Sequence, residues 1–261
     1  PSLVGSEMCI RDRTKTLKEG NLQVDKGREL LVKAGETHHI KKWKDISTYS
    51  VIFEDQFHGL IGKIASPFKE NPVKLQLDYV PSTFEGRLRF LEGKQKENIW
   101  GMQDWKTYTR EHERADAIFK KDKKAQFWVP TYQYFIEFPA RIQEATAVSY
   151  AGEDTFEGEE YHLVLASWNT VEPQKKIDQY IIWIHKKTHQ IGLVQYTIRD
   201  MFASAKGVVF YKEMREFNGL LIPFYMPIRS KIENENPLHE MKIRDFKVNE
   251  VEMKELLPIE K

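Results

Sequence analysis

The sequence predicts a mainly β protein of the α+β kind. It is expected to be a long antiparallel meander, which must either pack on a second layer or curl around something. Three observations lead there. Through residues 148–248, strand-like runs follow one another with turn signals between them and no helical period interposed. Asn218-Gly219 stands between two apolar runs, and both residue types tolerate the positive φ that a type I′ hairpin turn demands. One segment, 125–142, is apolar on nearly every side, and a helix of that composition belongs in an interior.

The elements follow in chain order. Residues 27–38 read as a short helix of about 18 Å, with Asp25 as N-cap, Glu29 in the first turn and Leu30, Leu31 and Ala34 as a narrow apolar stripe. After Trp43 and Ile46, residues 48–57 alternate, placing Tyr49, Val51 and Phe53 on one face. Strands are expected at 73–80, 86–92 and 97–104, and the charged stretch 110–124 as a mobile loop or exposed helix. In 125–142, Pro130 would suit the first turn and Pro139 would end the helix. The last hundred residues then give strands at 179–183, 191–198, 207–215 and 221–229. The turns among them are His185-Lys186-Lys187-Thr188 and Phe217-Asn218-Gly219.

Composition bounds the function. The chain has 261 residues, 41% apolar and 30% charged, with 15 Phe, 11 Tyr and 6 Trp, which suits a globular β protein with a wide apolar interior. A net charge of +1 offers nothing to track a phosphate backbone, so no nucleic acid partner is expected. The run Lys120-Lys121-Asp122-Lys123-Lys124 reads as a solvated loop. No stretch approaches the roughly 18 apolar residues of a membrane helix.

Residues 1–13, Pro-Ser-Leu-Val-Gly-Ser-Glu-Met-Cys-Ile-Arg-Asp-Arg, resemble translated sequencing-adapter read-through. They are expected to be an artefactual leader, so the single cysteine, Cys9, supports no redox or catalytic inference. Ser6-Glu7-Met8 also lacks the small residues of a lipobox. A polar lead-in, 14–26, would precede one domain over 27–250, followed by a tail at 251–261.

Catalytic chemistry finds little purchase. His38-His39 and His58 have no carboxylate at ligand spacing, and the adjacent pair reads as a surface feature of a helix end. His185 and His189 flank a turn, and Glu111-His112-Glu113 lacks the second His of a zinc protease. Asp178, Glu153 and Asp154 fall at strand ends, where charge meets solvent. There is no Gly-x-Ser-x-Gly elbow and no nucleotide-binding glycine pattern. No catalytic residue, metal or cofactor is expected, and a hydrolase is the weakest of the readings.

Three segments carry a family resemblance. They are Tyr132-Gln133-Tyr134-Phe135-Ile136-Glu137-Phe138-Pro139, Tyr180-Ile181-Ile182-Trp183-Ile184 and Arg215-Glu216-Phe217-Asn218-Gly219-Leu220-Leu221-Ile222-Pro223. With the turn Phe156-Glu157-Gly158-Glu159-Glu160-Tyr161, their order resembles the outer-membrane lipoprotein carrier superfamily, and within it an uncharacterised branch from Gram-negative envelopes. The resemblance spans roughly residues 27–248. It implies an incomplete antiparallel barrel or curled sheet whose concave face is apolar and covered by helices, and a non-catalytic periplasmic or outer-membrane-anchored protein holding an acyl chain, lipid or lipoprotein. Peripheral membrane association is compatible with it, and oligomeric state is left open. Phe127, Trp128, Tyr132, Phe135 and Phe138 are the candidate ligand-binding residues. The competing reading is an envelope scaffold with a solidly packed barrel, using Trp100, Trp105 and Trp168 near loops to hold a partner.

If residues 1–13 are foreign to the fold, deleting them leaves the melting temperature within about a degree. A larger loss in a thermal melt would show that they pack.

Overall fold

The computed structural model describes residues 23–199 and 206–258. The leader 1–13 with Cys9, and most of the polar lead-in, lie outside the described residues. In chain order the elements begin with α1 (Val24–Thr37), a 3₁₀ turn (Ile40–Asp45), β1 (Tyr49–Phe57) and α2 (Gly59–Ala65). Next come β2 (Val73–Tyr79), β3 (Gly86–Phe90), β4 (Ile99–Gln103), β5 (Lys106–Arg110) and β6 (Ile118–Phe119). Two helices follow, α3 (Lys123–Ile136) and α4 (Phe138–Arg141), and then β7 (Ala147–Phe156), β8 (Glu159–Ser167), β9 (Gln179–His185) and β10 (Ile191–Thr197). The chain ends with β11 (Lys206–Phe210), β12 (Lys212–Phe217), β13 (Leu220–Arg229), β14 (His239–Val248) and α5 (Met253–Leu256). Every pairing with an assigned register is antiparallel, and the strand order does not close into a barrel.

The chain divides into two compact units. The smaller comprises 23–38, 142–210 and 229–234, less the residues not described, and its strands run β11-β10-β9-β8-β7. Tyr161, Leu163, Leu165, Ile181, Trp183, Leu193, Val208 and Phe210 form its core on one face of that sheet. The expected stripe of α1 is buried at Leu30, Leu31 and Ala34, and the helix packs on β7 and β8. Its start differs from expectation. Gln23, not Asp25, is the N-cap, and Asp25 sits in the first turn, where its charge favours the helix dipole. The start is set by tertiary bonds: Gln23 N–H donates to Ser149 Oγ (3.2 Å) and Tyr150 N–H donates to the Gln23 carbonyl (3.0 Å).

The larger unit comprises 39–141, 211–228 and 235–258 of the described chain, with strand order β6-β5-β4-β3-β2-β1-β14-β13 and β12 added on β13. In β1, Tyr49, Val51, Phe53, Asp55 and Phe57 are buried on alternate positions, as the period-2 pattern required. The helix α3 lies on this face against β3, β4 and β5. On the opposite face the residues Ser50, Asp78, Arg87, Gly101 and Tyr108 stand side by side across five strands. There the buried Arg87 guanidinium donates to Asp78 (2.9 Å) and Glu113 (2.6 Å), and Ser50 Oγ donates to Asp78 (2.6 Å). The C-terminal α5 caps this network: Leu256 is fully buried, its carbonyl accepts from Tyr108 Oη (2.6 Å), and the Glu255 carbonyl accepts from Arg87 (3.1 Å).

Three sequence expectations are corrected. The stretch 110–124 is neither all loop nor a helix, because β6 pairs with β5 through Tyr108↔Phe119 and Thr109↔Ile118. The expected strand 207–215 is two strands broken at Tyr211, where the chain leaves β11 and starts the pairing of β12 with β13. Pro130 is not in the first turn of α3, which begins at Lys123 because the Asp122 carboxylate accepts from Lys124 N–H (2.8 Å) and Ala125 N–H (3.1 Å). Pro130 therefore lies inside the helix, beside Thr131, whose hydroxyl donates to the Phe127 carbonyl (2.6 Å).

The Asn-Gly turn has the backbone its residues promised, with φ of 49° at Asn218 and 77° at Gly219. A Cβ at Gly219 would meet only Lys42 side-chain atoms at 3.6 Å or more, so sterics with neighbours are not the obstacle. Gly219→Val is expected to cost about 1–2 kcal/mol through backbone strain alone. Urea denaturation tests this, and an unchanged midpoint would contradict the turn geometry.

Candidate functional site

The apolar side of α3 repeats at helical spacing, so Trp128, Tyr132 and Phe135 present toward the sheet together. Trp128 and Tyr132 join a cluster of rings from β1, β3, β4 and the segment before β2. Trp128 lies 5.8 Å from Phe57, 5.9 Å from Phe68 and 5.3 Å from Tyr132, and Tyr132 lies 4.8 Å from Phe53. Phe68 stacks in turn on Trp100 (5.9 Å, 21° between planes), which meets Phe90 edge-on (5.1 Å). Edge-to-face and offset rings at these separations are in van der Waals contact. Trp100, expected near a loop as a partner-binding side chain, is instead buried here, because its strand position faces α3.

Below the rings is a polar link that sequence reading missed. Asp55 is fully buried on the inward side of β1. Its Oδ2 accepts from Tyr132 Oη (2.8 Å), and its Oδ1 lies 2.8 Å from His239 Nδ1 on β14. The His239 ring stacks on Phe57 at 4.8 Å with 4° between planes. Burial, with the Asp55 charge adding to it, pushes the Tyr132 hydroxyl well above the ordinary tyrosine range. It therefore remains a donor at neutral pH. An Asp at an inward position of an alternating strand is the signal that could have found this link.

At the C-terminal end of α3, Glu137 is buried and gathers Tyr49 Oη (2.9 Å), Gln133 Nε2 (2.8 Å), Ser82 N–H (2.9 Å) and Arg141 Nε (2.8 Å). Burial lifts its carboxyl above the usual range, against the pull of Arg141 and these donors. Phe138 follows, 5.7 Å from Tyr134 and 6.1 Å from Tyr211, and Tyr211 Oη donates to the Phe135 carbonyl (3.3 Å).

The candidate residues thus fall into two groups. Trp128 and Tyr132 are brought together in the ring cluster, with Phe127 half-exposed beside Trp128 at 5.4 Å. Phe135 and Phe138 belong with Tyr211 at the other end. Trp128 and Phe135 each keep 8% of their surface exposed, whereas Tyr132 keeps none.

The residues considered for metal or catalytic work are placed apart by their partners. His38 is buried rather than on the surface, because its Nε2 accepts from Ile191 N–H (3.0 Å) at the end of α1. The His39 ring reaches the Gly219 carbonyl (3.0 Å), and His58 pairs with Glu240 (2.7 Å). His185 accepts from the Lys187 and Thr188 amides within its own turn. Glu153 pairs with Lys186 (2.7 Å), Asp154 accepts from Thr155 N–H, and Asp178 accepts from Arg199 N–H (2.8 Å). No group of three or more His, Cys, Asp or Glu among the described residues could hold a metal ion. No helix among them is long and apolar enough to cross a membrane.

No family model matches the chain, and no curated protein matches it. Solved structures do. A DUF1329 family protein from Desulfovibrio piger superposes with a TM-score of 0.57 at 8% identity, covering 90% of this chain and 96% of that one. A putative outer membrane lipoprotein-sorting protein domain from Vibrio parahaemolyticus gives 0.56 at 9%, covering 89% and 96%. A LolA superfamily protein from Nitrosomonas europaea gives 0.56 at 8%, covering 88% and 97%. This chain shares the overall fold of these three structures. At these identities the likeness concerns the fold alone, and it agrees with the order of elements from which the sequence resemblance was drawn.

Removing the buried acceptor by Asp55→Ala leaves the Tyr132 hydroxyl without its partner and is expected to cost about 1–3 kcal/mol. Tyr132→Phe, which keeps the Asp55–His239 contact, should cost less, about 1 kcal/mol. Equal losses in urea melts of the two variants would mean that Asp55 does not link α3 to β14.

Proposed function

We propose that this protein is a non-catalytic envelope protein that binds a hydrophobic ligand, an acyl chain of a lipid or lipoprotein, beneath α3. The supporting observation is the helix itself: an aromatic surface laid on an open antiparallel sheet, with Phe127 half-buried and Trp128 and Phe135 each keeping 8% of their surface exposed. The names of the structural neighbours, one of them for lipoprotein sorting, favour the same ligand class. In this reading Phe127, Trp128, Tyr132, Phe135 and Phe138 line the site, and the protein works in the periplasm or anchored at the outer membrane. Such a site needs no polar motif. Burying a methylene contributes about 0.8 kcal/mol, so a ten-carbon tail offers roughly 8 kcal/mol gross before ordering costs.

The packed rings favour a second reading, in which α3 is a plug and the protein is an envelope scaffold. Trp128, Tyr132, Phe68 and Trp100 touch one another, and a ligand deep under α3 would have to displace them. The two readings separate at Phe135, which keeps 8% of its surface exposed at the far end of α3 from Phe127.

In a binding groove, an environment-sensitive fatty-acid probe binds with micromolar affinity and is displaced by unlabelled fatty acid. Phe135→Leu then weakens the probe while the melting curve is nearly unchanged. In a plug, the same substitution lowers stability by about 1 kcal/mol, in the range of volume-changing apolar swaps, and no probe binds. The second result would overturn the carrier reading and leave the scaffold.

A further inference from the structure

Helix α2, Gly-Leu-Ile-Gly-Lys-Ile-Ala, is built inside out. A surface helix normally turns its apolar side chains inward and its polar ones to water. In α2 the only buried residue is Gly62, seated so tightly that a Cβ there would meet the Leu238 carbonyl oxygen at 2.2 Å. The helix therefore leans on the β13–β14 connection by its backbone. Its three large apolar side chains point away: Leu60, Ile61 and Ile64 are 77%, 71% and 74% exposed. These are the three most exposed large hydrophobic residues among those described. Single exposed apolar residues are ordinary, but three on one turn and a half of helix, held outward by a glycine contact, form an apolar patch.

The charge around the patch is one-sided. Residues 59–69 contain Lys63 and Lys69, both exposed, and no acidic residue. The exposed Lys124, in the first turn of α3, donates to the Pro67 carbonyl (3.2 Å), which brings the basic run of residues 120–124 beside this segment. Two carboxylates border the segment, both at least partly buried. Glu240 is paired with His58, and Glu70 accepts from Lys94 N–H (2.9 Å). Apolar side chains projecting among lysines match the boundary of an anionic bilayer, where the former enter the acyl region and the latter meet the headgroups.

We propose that α2 is a membrane-contact element that inserts Leu60, Ile61 and Ile64 into the surface of an anionic bilayer, with Lys63, Lys69 and Lys124 over the headgroups. This does not depend on a ligand lying beneath α3.

The experiment is vesicle flotation of the full chain with vesicles of equal parts phosphatidylglycerol and phosphatidylcholine, against phosphatidylcholine alone. The expected result is binding to the anionic vesicles that falls with added salt. The combined Leu60→Asn, Ile61→Asn and Ile64→Asn variant should lose about tenfold or more of that binding. It should nearly keep the wild-type melting curve, because the altered side chains are 71–77% exposed and have little packing to lose. Lys63→Glu with Lys69→Glu, which leaves the apolar side chains in place, should also weaken binding to the anionic vesicles. Absence of vesicle binding, or binding untouched by either variant, would overturn the proposal. So would a wild-type dimer that the asparagine variant converts to monomer without any vesicle binding, since a second copy would then cover the patch.

Discussion

The larger unit hinges on how a helix is fastened to a sheet that does not close. Apolar contact alone is not directional, and α3 could slide along a face lined with Phe53, Leu75, Leu77 and Phe90 at little cost. Asp55 removes that freedom. Buried and negatively charged in its ionised form, it requires donors, and it draws one from α3 through Tyr132 and faces His239 on β14. A second anchor, Glu137, holds the far end of the helix to Tyr49 on β1 and to the amide of Ser82. Tyr79 Oη, donating to the Val129 carbonyl (2.7 Å), fixes the middle to β2. With register set by these polar points, the ring cluster can pack in one arrangement rather than several.

What could be read from the sequence was what is local. The Asn218-Gly219 turn, the alternation of β1 and the apolar character of α3 each depend on residues close in the chain, and the structure has them where expected. Boundaries were harder. The apolar run of 125–142 marks the buried face of α3, not its start, so the first turn of lysines capped by Asp122 went unread. Tyr211 looks like any residue of an alternating strand, yet the chain changes partners there. Asp55 and His239 are separated by 184 positions, and nothing in either neighbourhood names the other. The clue was half visible, in a carboxylate standing at an inward position between Phe53 and Phe57.

Helix α2 was missed for a different reason. Sequence patterns are read on the premise that apolar means buried, and Gly-Leu-Ile-Gly-Lys-Ile-Ala is too short and too glycine-rich to signal an amphipathic helix. The premise fails in this segment because the buried contact is made by backbone. A glycine that admits close approach, flanked by large apolar residues, leaves those residues nowhere to go but outward.

These two features, a helix fastened by polar links and a helix turned inside out, constrain function together. If the rings under α3 were a finished core, their most economical arrangement would bury every one of them, as Tyr132 and Phe138 are buried. Phe127 instead remains half-exposed, at the capped start of α3 where Lys124 reaches Pro67. Phe68, on the chain between α2 and β2, lies in the ring cluster with Trp128, so the segment carrying the exposed apolar patch is continuous with the wall of the candidate site. The half-buried Phe127 and the exposed side chains of α2 are tied through the same segment, by Lys124 on the Pro67 carbonyl and by Phe68 against Trp128.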